Sequence, residues 1–226
     1  MTRFVLGILS AALAVLVIAV PTFAGGLDLI NKGQAAEKAG NSNEALHAYT
    51  GAIQSGDLTG AQIAFAYYRR GGVNGFLGDN ISGIADFSKA IELNPRLGGA
   101  YSLRGYLRGV VGQYDLAERD HLAAIDLAKD QKWADYLPWV LQHYADLSRR
   151  RGEFDKALRY CEKALQTREY ADVYFRRAWI YLDMGRSAQA KADFETFERM
   201  MKEQDRSYGV FWPDERGAIS RLREVR

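Results

Sequence analysis

The chain has 226 residues, 48% of them hydrophobic and 26% charged, and a formal net charge of +2. This composition excludes intrinsic disorder and fits a folded unit with an ample core. Acids and bases are mixed along the whole length, so the charge pattern leaves no footprint for nucleic acid, and no nucleic-acid partner is expected.

The first element is an apolar run. Arg3 precedes Phe4–Val20, which carries no charge, and Pro21 ends any helix. Thr22 and Ala24 then supply small residues at −3 and −1 of a cut after Ala24. This is the layout of a secretory signal peptide over residues 1–24, so the mature protein is expected to be periplasmic or secreted. Membrane association is expected only if the segment is retained as an anchor. Cys161 is the one cysteine, so packing and not disulfides must hold an exported chain together.

From residue 26 onward the chain repeats. Gly40, Gly78, Gly112, Gly152 and Gly185 stand 33 to 40 residues apart. Five positions after them come Ala45, Gly83, Ala117, Ala157 and Ala190. Seven further on are Ala52, Ala90, Ala124, Ala164 and, in the last copy, Phe197. Seven before the glycines lie Gly33, Gly71, Gly105, Ala145 and Ala178, and four before those Leu29, Tyr67, Tyr101, Leu141 and Tyr174. Each glycine is placed to end one helix in a left-handed cap. A helix of about fourteen residues precedes it and a second follows, as in Ala85–Pro95, where Ile84, Phe87, Ala90 and Ile91 form an inner stripe and Pro95 is the stop. Small residues on both helices let the backbones approach. One such hairpin cannot bury its apolar face alone, so hairpins stack.

The pattern of aromatic or leucine, small residue, turn glycine, alanine, aromatic, alanine and proline resembles the tetratricopeptide repeat. Ala64–Leu97 and Gly98–Asp130 carry it best, and Phe154, Ala157 and Ala164 continue it. The resemblance implies an all-α, right-handed superhelix of about five stacked hairpins, over residues 26–63, 64–97, 98–137, 138–170 and 171–202. Ala145 and Ala178 depart from the pattern by replacing glycine, and the spacings of 38 and 40 imply insertions, the longer at about Lys129–Leu137. Residues 203–226 form a C-terminal capping segment: a helix from Pro213, with Ile219, Leu222 and Val225 as a narrow apolar stripe for the open end of the stack.

Arg70, Arg104 and Arg177 share one position of the first helix, and sixteen residues on stand Asp86, Asp120 and Asp193. Copies that lack the arginine, with Lys32 and Tyr144, also lack the aspartate, with Ala48 and Tyr160. That joint appearance predicts structural ion pairs inside the hairpin, since the guanidinium fork suits a carboxylate. A partly exposed pair would contribute only ~0–1 kcal/mol.

No catalytic constellation, cofactor motif or metal-ligand spacing is present, so neither an enzyme nor a cofactor is expected. His121 and Cys161 share a column with Tyr49, Phe87 and Phe194, which makes both core residues. Gly71–Gly78 lacks the strand, lysine and hydroxyl of a phosphate loop. In the resembled family the first helices line a concave face that holds partners. Its outward positions here include Phe65, Tyr68, Phe76, Tyr106, Trp139, Gln142, Asp146, Arg149, Phe175 and Trp179, an aromatic-rich set suited to recognition. The expected function is therefore a non-catalytic scaffold of the cell envelope that holds a protein or peptide in its groove. The alternative is a glycan or small ligand, with Gln142 and Asp146 converging beside Trp139. Ile30, Gln34, Arg69, Gly99 and Leu103 stand where a clamp for a C-terminal carboxylate would need lysine and asparagine, so tail capture is not expected.

Overall fold

A computed structural model describes residues 25–130, 135–204 and 212–225. The signal-peptide reading falls outside these residues. The described residues form eleven helices and no strand. In chain order they are α1 (Gly26–Lys38), α2 (Ser42–Gln54), α3 (Gly60–Phe76), α4 (Asn80–Leu93), α5 (Gly98–Val110), α6 (Tyr114–Ala128), α7 (Leu137–Arg150), α8 (Phe154–Thr167), α9 (Ala171–Asp183), α10 (Ser187–Glu203) and α11 (Pro213–Arg223). No helix among the described residues is long and apolar enough to cross a membrane.

The first ten helices pair as five consecutive hairpins, and each second helix also packs on the first helix of the next hairpin. The first helices α3, α5, α7 and α9 touch in series and make a continuous inner layer.

The five repeat glycines adopt φ of 74, 89, 80, 75 and 72°. Each closes the same double bond. After α5, the Gly112 N–H donates to the Gly109 carbonyl at 3.3 Å and the Gln113 N–H to the Arg108 carbonyl at 2.8 Å. The pattern recurs at the ends of α1, α3, α7 and α9. This is the Schellman cap, which satisfies the last carbonyls of the helix and reverses the chain in two residues. A Cβ on Gly112 would meet nothing within 4 Å, so only the backbone demands glycine there. Gly112→Ala should therefore lower stability by about 1–2 kcal/mol. Gly60→Ala, equally uncrowded but at the helical start of α3, should be neutral or stabilising. Urea midpoints of the two variants check this.

The small columns are close contacts. A Cβ at Gly71 would lie 3.2 Å from the Gly83 carbonyl, and one at Gly105 would lie 3.1 Å from the Ala117 carbonyl. Ala45, Ala117, Ala157 and Ala190 are buried in the matching positions of the second helices. The insertion after α2 is also ordered. Gly56 adopts φ 77°, and Asp57 accepts the Gly26 N–H at 3.0 Å, tying the loop to the start of α1.

Candidate functional site

The Arg–Asp columns form forked ion pairs. Arg70 donates through Nε and Nη2 to Asp86 at 2.9 and 2.7 Å, Arg104 to Asp120 at 2.9 and 2.7 Å, and Arg177 to Asp193 at 2.6 and 2.8 Å. The third arm of Arg70 reaches Thr50 and that of Arg104 reaches Ser88, each on the preceding hairpin. These arginines therefore stitch neighbouring repeats as well as the two helices of one hairpin. The tyrosine three residues earlier also has a role, because Arg70, Arg104 and Arg177 lie over the rings of Tyr67, Tyr101 and Tyr174 at 5.3–5.6 Å. Where the pair is missing in the fourth hairpin, Tyr144 and Tyr160 stack at 4.4 Å in the same two places.

Asp120 is buried and also accepts from Arg108 at 2.8 Å. The partly exposed pair expected from the sequence is thus largely withdrawn from water. Arg104→Ala should cost about 1–3 kcal/mol, above the surface-pair range, because it strips a partner from a buried carboxylate. The urea midpoint of this variant, compared with one in the exposed Lys89–Glu92 pair, measures the difference.

The inner layer divides into two halves. At the C-terminal ends of α3, α5 and α7 the groove is filled by the start of α11. The Trp212 ring rests on Gly75, where a Cβ would collide with it, and meets Tyr106 edge-on at 5.1 Å. Asp214 accepts from the Tyr106 hydroxyl at 2.8 Å and from Arg150. Glu215 accepts from Arg176 at 2.5 Å and caps its own helix by accepting the Trp212 N–H at 3.1 Å. Farther along α11, Ala218, Ile219 and Leu222 bury against Phe175, Trp179, Phe197 and Met201 of the last hairpin.

Beneath this segment lies a buried ionic cluster. Asp146, only 1% exposed, accepts from Arg149 Nε at 3.0 Å, Arg150 Nε at 2.6 Å and Arg176 Nη1 at 3.0 Å. Burial opposes ionisation of Asp146, but Arg176, Arg150 and Arg149 outweigh it and hold the carboxyl well below the usual carboxylate range. Burial pushes Glu215 up, against the pull of Arg176. Arg149 also stacks 3.8 Å over the Trp179 ring and pairs with Asp183 at 2.5 Å.

Half of the expected groove residues are therefore not open to solvent. Tyr106, Gln142, Asp146, Phe175 and Trp179 are buried, and Arg149 is occupied by Asp146, Asp183 and Trp179. For Tyr106, Phe175 and Trp179 the reason is α11 with the Trp212 before it, which pack on them, and Asp146 lies under arginines that the acidic first turn of α11 engages. Phe76 is partly covered as well, with the Arg216 guanidinium 4.8 Å above its ring.

The other half is open. Phe65, Tyr68 and Trp139 come together with Leu97, Tyr136 and Val140 around an apolar pocket of about 220 Å³ between the N-terminal half of α3, the starts of α5 and α7 and the end of α6. Trp139 is held edge-on against His143 at 4.5 Å, and Tyr136 stands at the rim, half exposed.

The buried histidines and the cysteine sit in the core. His121 is fully buried beside Tyr144, and burial pushes its imidazole down to about 3. His143 shares a 2.9 Å hydrogen bond with the Ser102 hydroxyl, and burial drives it well below the ordinary value. Cys161 is buried and its thiol is pushed up to about 12. No cluster of three metal-ligating side chains occurs among the described residues.

Sequence reasoning missed Arg150, Arg176, Trp212, Asp214, Glu215 and Tyr136. One signal was available: Gly75, inside a seventeen-residue helix and outside the small columns, marks a close approach by something other than the hairpin partner.

Comparison with known proteins supports this architecture. The tetratricopeptide repeat family model matches residues 66–97 and 171–199. A tetratricopeptide repeat protein of Parabacteroides merdae aligns with a TM-score of 0.63 at 20% identity, over 88% of this chain and 78% of that one. A thermophilic protein of the same repeat type from Thermus thermophilus aligns at 0.65 and 17% identity, over 88% and 100%. A chain of the APC/C hetero-tetramer Cut9-Hcn1 aligns at 0.63 and 15% identity, over 87% of this chain and 36% of that one. At these identities the likeness is one of fold. No curated protein matches. Repeats of this type are generally non-catalytic scaffolds for protein–protein interaction.

Proposed function

We propose that this protein is a non-catalytic scaffold that holds a protein or peptide partner on its inner helical layer, with the primary anchor in the pocket of Phe65, Tyr68, Tyr136 and Trp139. The single observation that carries the reading is that pocket. It is apolar, aromatic-walled and open, in a face whose other half is already filled by the chain itself. Its volume of about 220 Å³ is below the roughly 300–1,000 Å³ of small-molecule sites and suits one large side chain of a longer partner. Aromatic walls around one inserted anchor are the usual make-up of an interface hot spot. The glycan or small-ligand reading loses the polar groups it was built on. Gln142 and Asp146, the polar groups it would need beside Trp139, are buried, and Asp146 is engaged by three arginines.

The test is to pan a displayed peptide library on the purified chain and measure the recovered peptides against variants. Tyr136→Ala, at a half-exposed position, should weaken binding at least about tenfold while circular dichroism and melting stay close to wild type, and Tyr68→Ala, which also removes a ring packed near Phe87, should weaken binding as much with some loss of melting temperature. Equal affinity for all three proteins would place the anchor elsewhere and sink the reading. We further propose that the chain works outside the cytoplasm after removal of residues 1–24. N-terminal sequencing of material from the producing cell should begin at Gly25, and an intact Met1 would overturn that.

A further inference from the structure

We propose that the slot lined by α3, α5, α7 and α9 is a second recognition site, specific for a partner segment with an aromatic residue followed within three positions by two adjacent acids, and that Trp212–Glu215 is its resident intramolecular occupant. The inference rests on the scaffold reading and deepens it by naming the chemistry of one partner segment.

Three observations carry it. The first is the charge count of the slot. Arg150 and Arg176 are largely buried, and the repeats give them one shared carboxylate, Asp146, which Arg149 also uses. Of the nitrogens that Asp146 does not engage, Nη2 of each guanidinium points to α11, Arg150 to Asp214 and Arg176 to Glu215. The repeats thus present two convergent cationic forks with no acid of their own for the outer arms, and such groups are costly to leave unpaired out of water.

The second is shape. Gly75 interrupts α3 with a notch that a Cβ would close, and the indole of Trp212 fills it against Tyr106. A glycine within a helix costs about 1 kcal/mol relative to alanine, and the hairpin packing of α3 on α4 already uses Gly71 and Gly83. The notch serves the occupant of the slot. The third is position. The slot and the apolar pocket lie at opposite ends of α3, α5 and α7 on one face, so a single extended partner could reach both.

Tethering gives the resident segment an effective concentration in the millimolar range, so a competitor wins only when it is abundant, anchored a second time in the apolar pocket, or better matched. The slot is thereby kept closed to weakly acidic sequences.

The test uses a fluorescent synthetic peptide of residues 212–225 and a control with glutamine and asparagine in place of its two first-turn acids. Anisotropy titrations compare the wild-type chain with a Trp212→Ala/Asp214→Asn variant, in which the resident segment is weakened and the slot is intact. The acidic peptide should bind the variant at least about tenfold more tightly than the wild type, and the neutral control should bind neither. Equal binding to both proteins, or equal binding of both peptides, overturns the proposal. If the variant melts early, hydrogen exchange on the unmodified chain decides. Millimolar acidic peptide should speed exchange across residues 213–223, and unchanged exchange overturns the proposal. Faster exchange that grows with chain concentration alone assigns the slot to a second copy and also overturns it. Peptides panned on the Tyr68 and Tyr136 pocket report on the scaffold reading separately, so the two can fail independently.

Discussion

Asp146→Ala should be among the most damaging single substitutions in this protein, lowering stability by about 3–5 kcal/mol. The carboxylate is 1% exposed and is the common acceptor for Arg149, Arg150 and Arg176. Removing it leaves three guanidinium groups crowded together, the Arg176 side chain only 2% exposed, with nothing negative at their centre. Their remaining partners, Asp183, Asp214 and Glu215, lie at the edges of the cluster. Asp146→Asn keeps the shape and loses the charge, so it should fall between alanine and wild type. Urea titrations give the numbers. Tryptophan emission supplies a second readout, because Trp179 and Trp212 both border the cluster. A loss below about 1 kcal/mol for Asp146→Ala would mean that the arginines find other partners at little cost, contrary to the buried geometry.

The second large effect is acid sensitivity. His121 and His143 are buried and neutral, with folded pKa values pushed down by burial, His121 to about 3 and His143 well below its ordinary value. In the unfolded chain a histidine titrates near ~6.5. Below that pH the unfolded state binds protons that the folded state refuses, so stability falls as pH falls, by about 1.4 kcal/mol per pH unit for each histidine. Glu215, pushed up by burial, works the other way. The clean measurement is therefore a difference. His121→Phe, which installs the ring that the same column carries at Phe87 and Phe194, should make stability less steep than wild type by about 1.4 kcal/mol per pH unit between pH 6 and pH 4. Glu118, drawn down to about 2 with the Tyr144 hydroxyl as the largest cause, adds its own loss only below about pH 4.5. Parallel pH profiles for wild type and His121→Phe would show that the imidazole takes a proton without unfolding.

The architecture was legible because its determinants are local and repeated. A Schellman cap is decided by one residue that tolerates positive φ, and the five glycines supply it at matching places. Helix contact within a hairpin needs small residues at fixed offsets, and Gly71 against Gly83 or Gly105 against Ala117 met that need in the sequence itself. The ion pairs were legible for a different reason. Five internal copies made a comparison possible, and arginine and aspartate came and went together. Even there the environment escaped, since a column says which residues pair but not how much water surrounds Asp120.

The inner face was only half legible. Phe65, Tyr68 and Trp139 meet around one pocket, yet Asp146, Phe175 and Trp179 lie beneath a helix that belongs to no repeat. Nothing in the periodicity of Asp214 or Glu215 points to Arg150 or Arg176, because those contacts join residues 64 and 39 positions apart through side chains that occur once. The amino-acid sequence by itself therefore determined the helices, their turns and their pairing, since each depends on backbone conformation and spacing within some forty residues. Only the tertiary structure decided which part of the inner face stays open, because that depends on where a non-repeated helix finds enough complementary charge and apolar surface to settle.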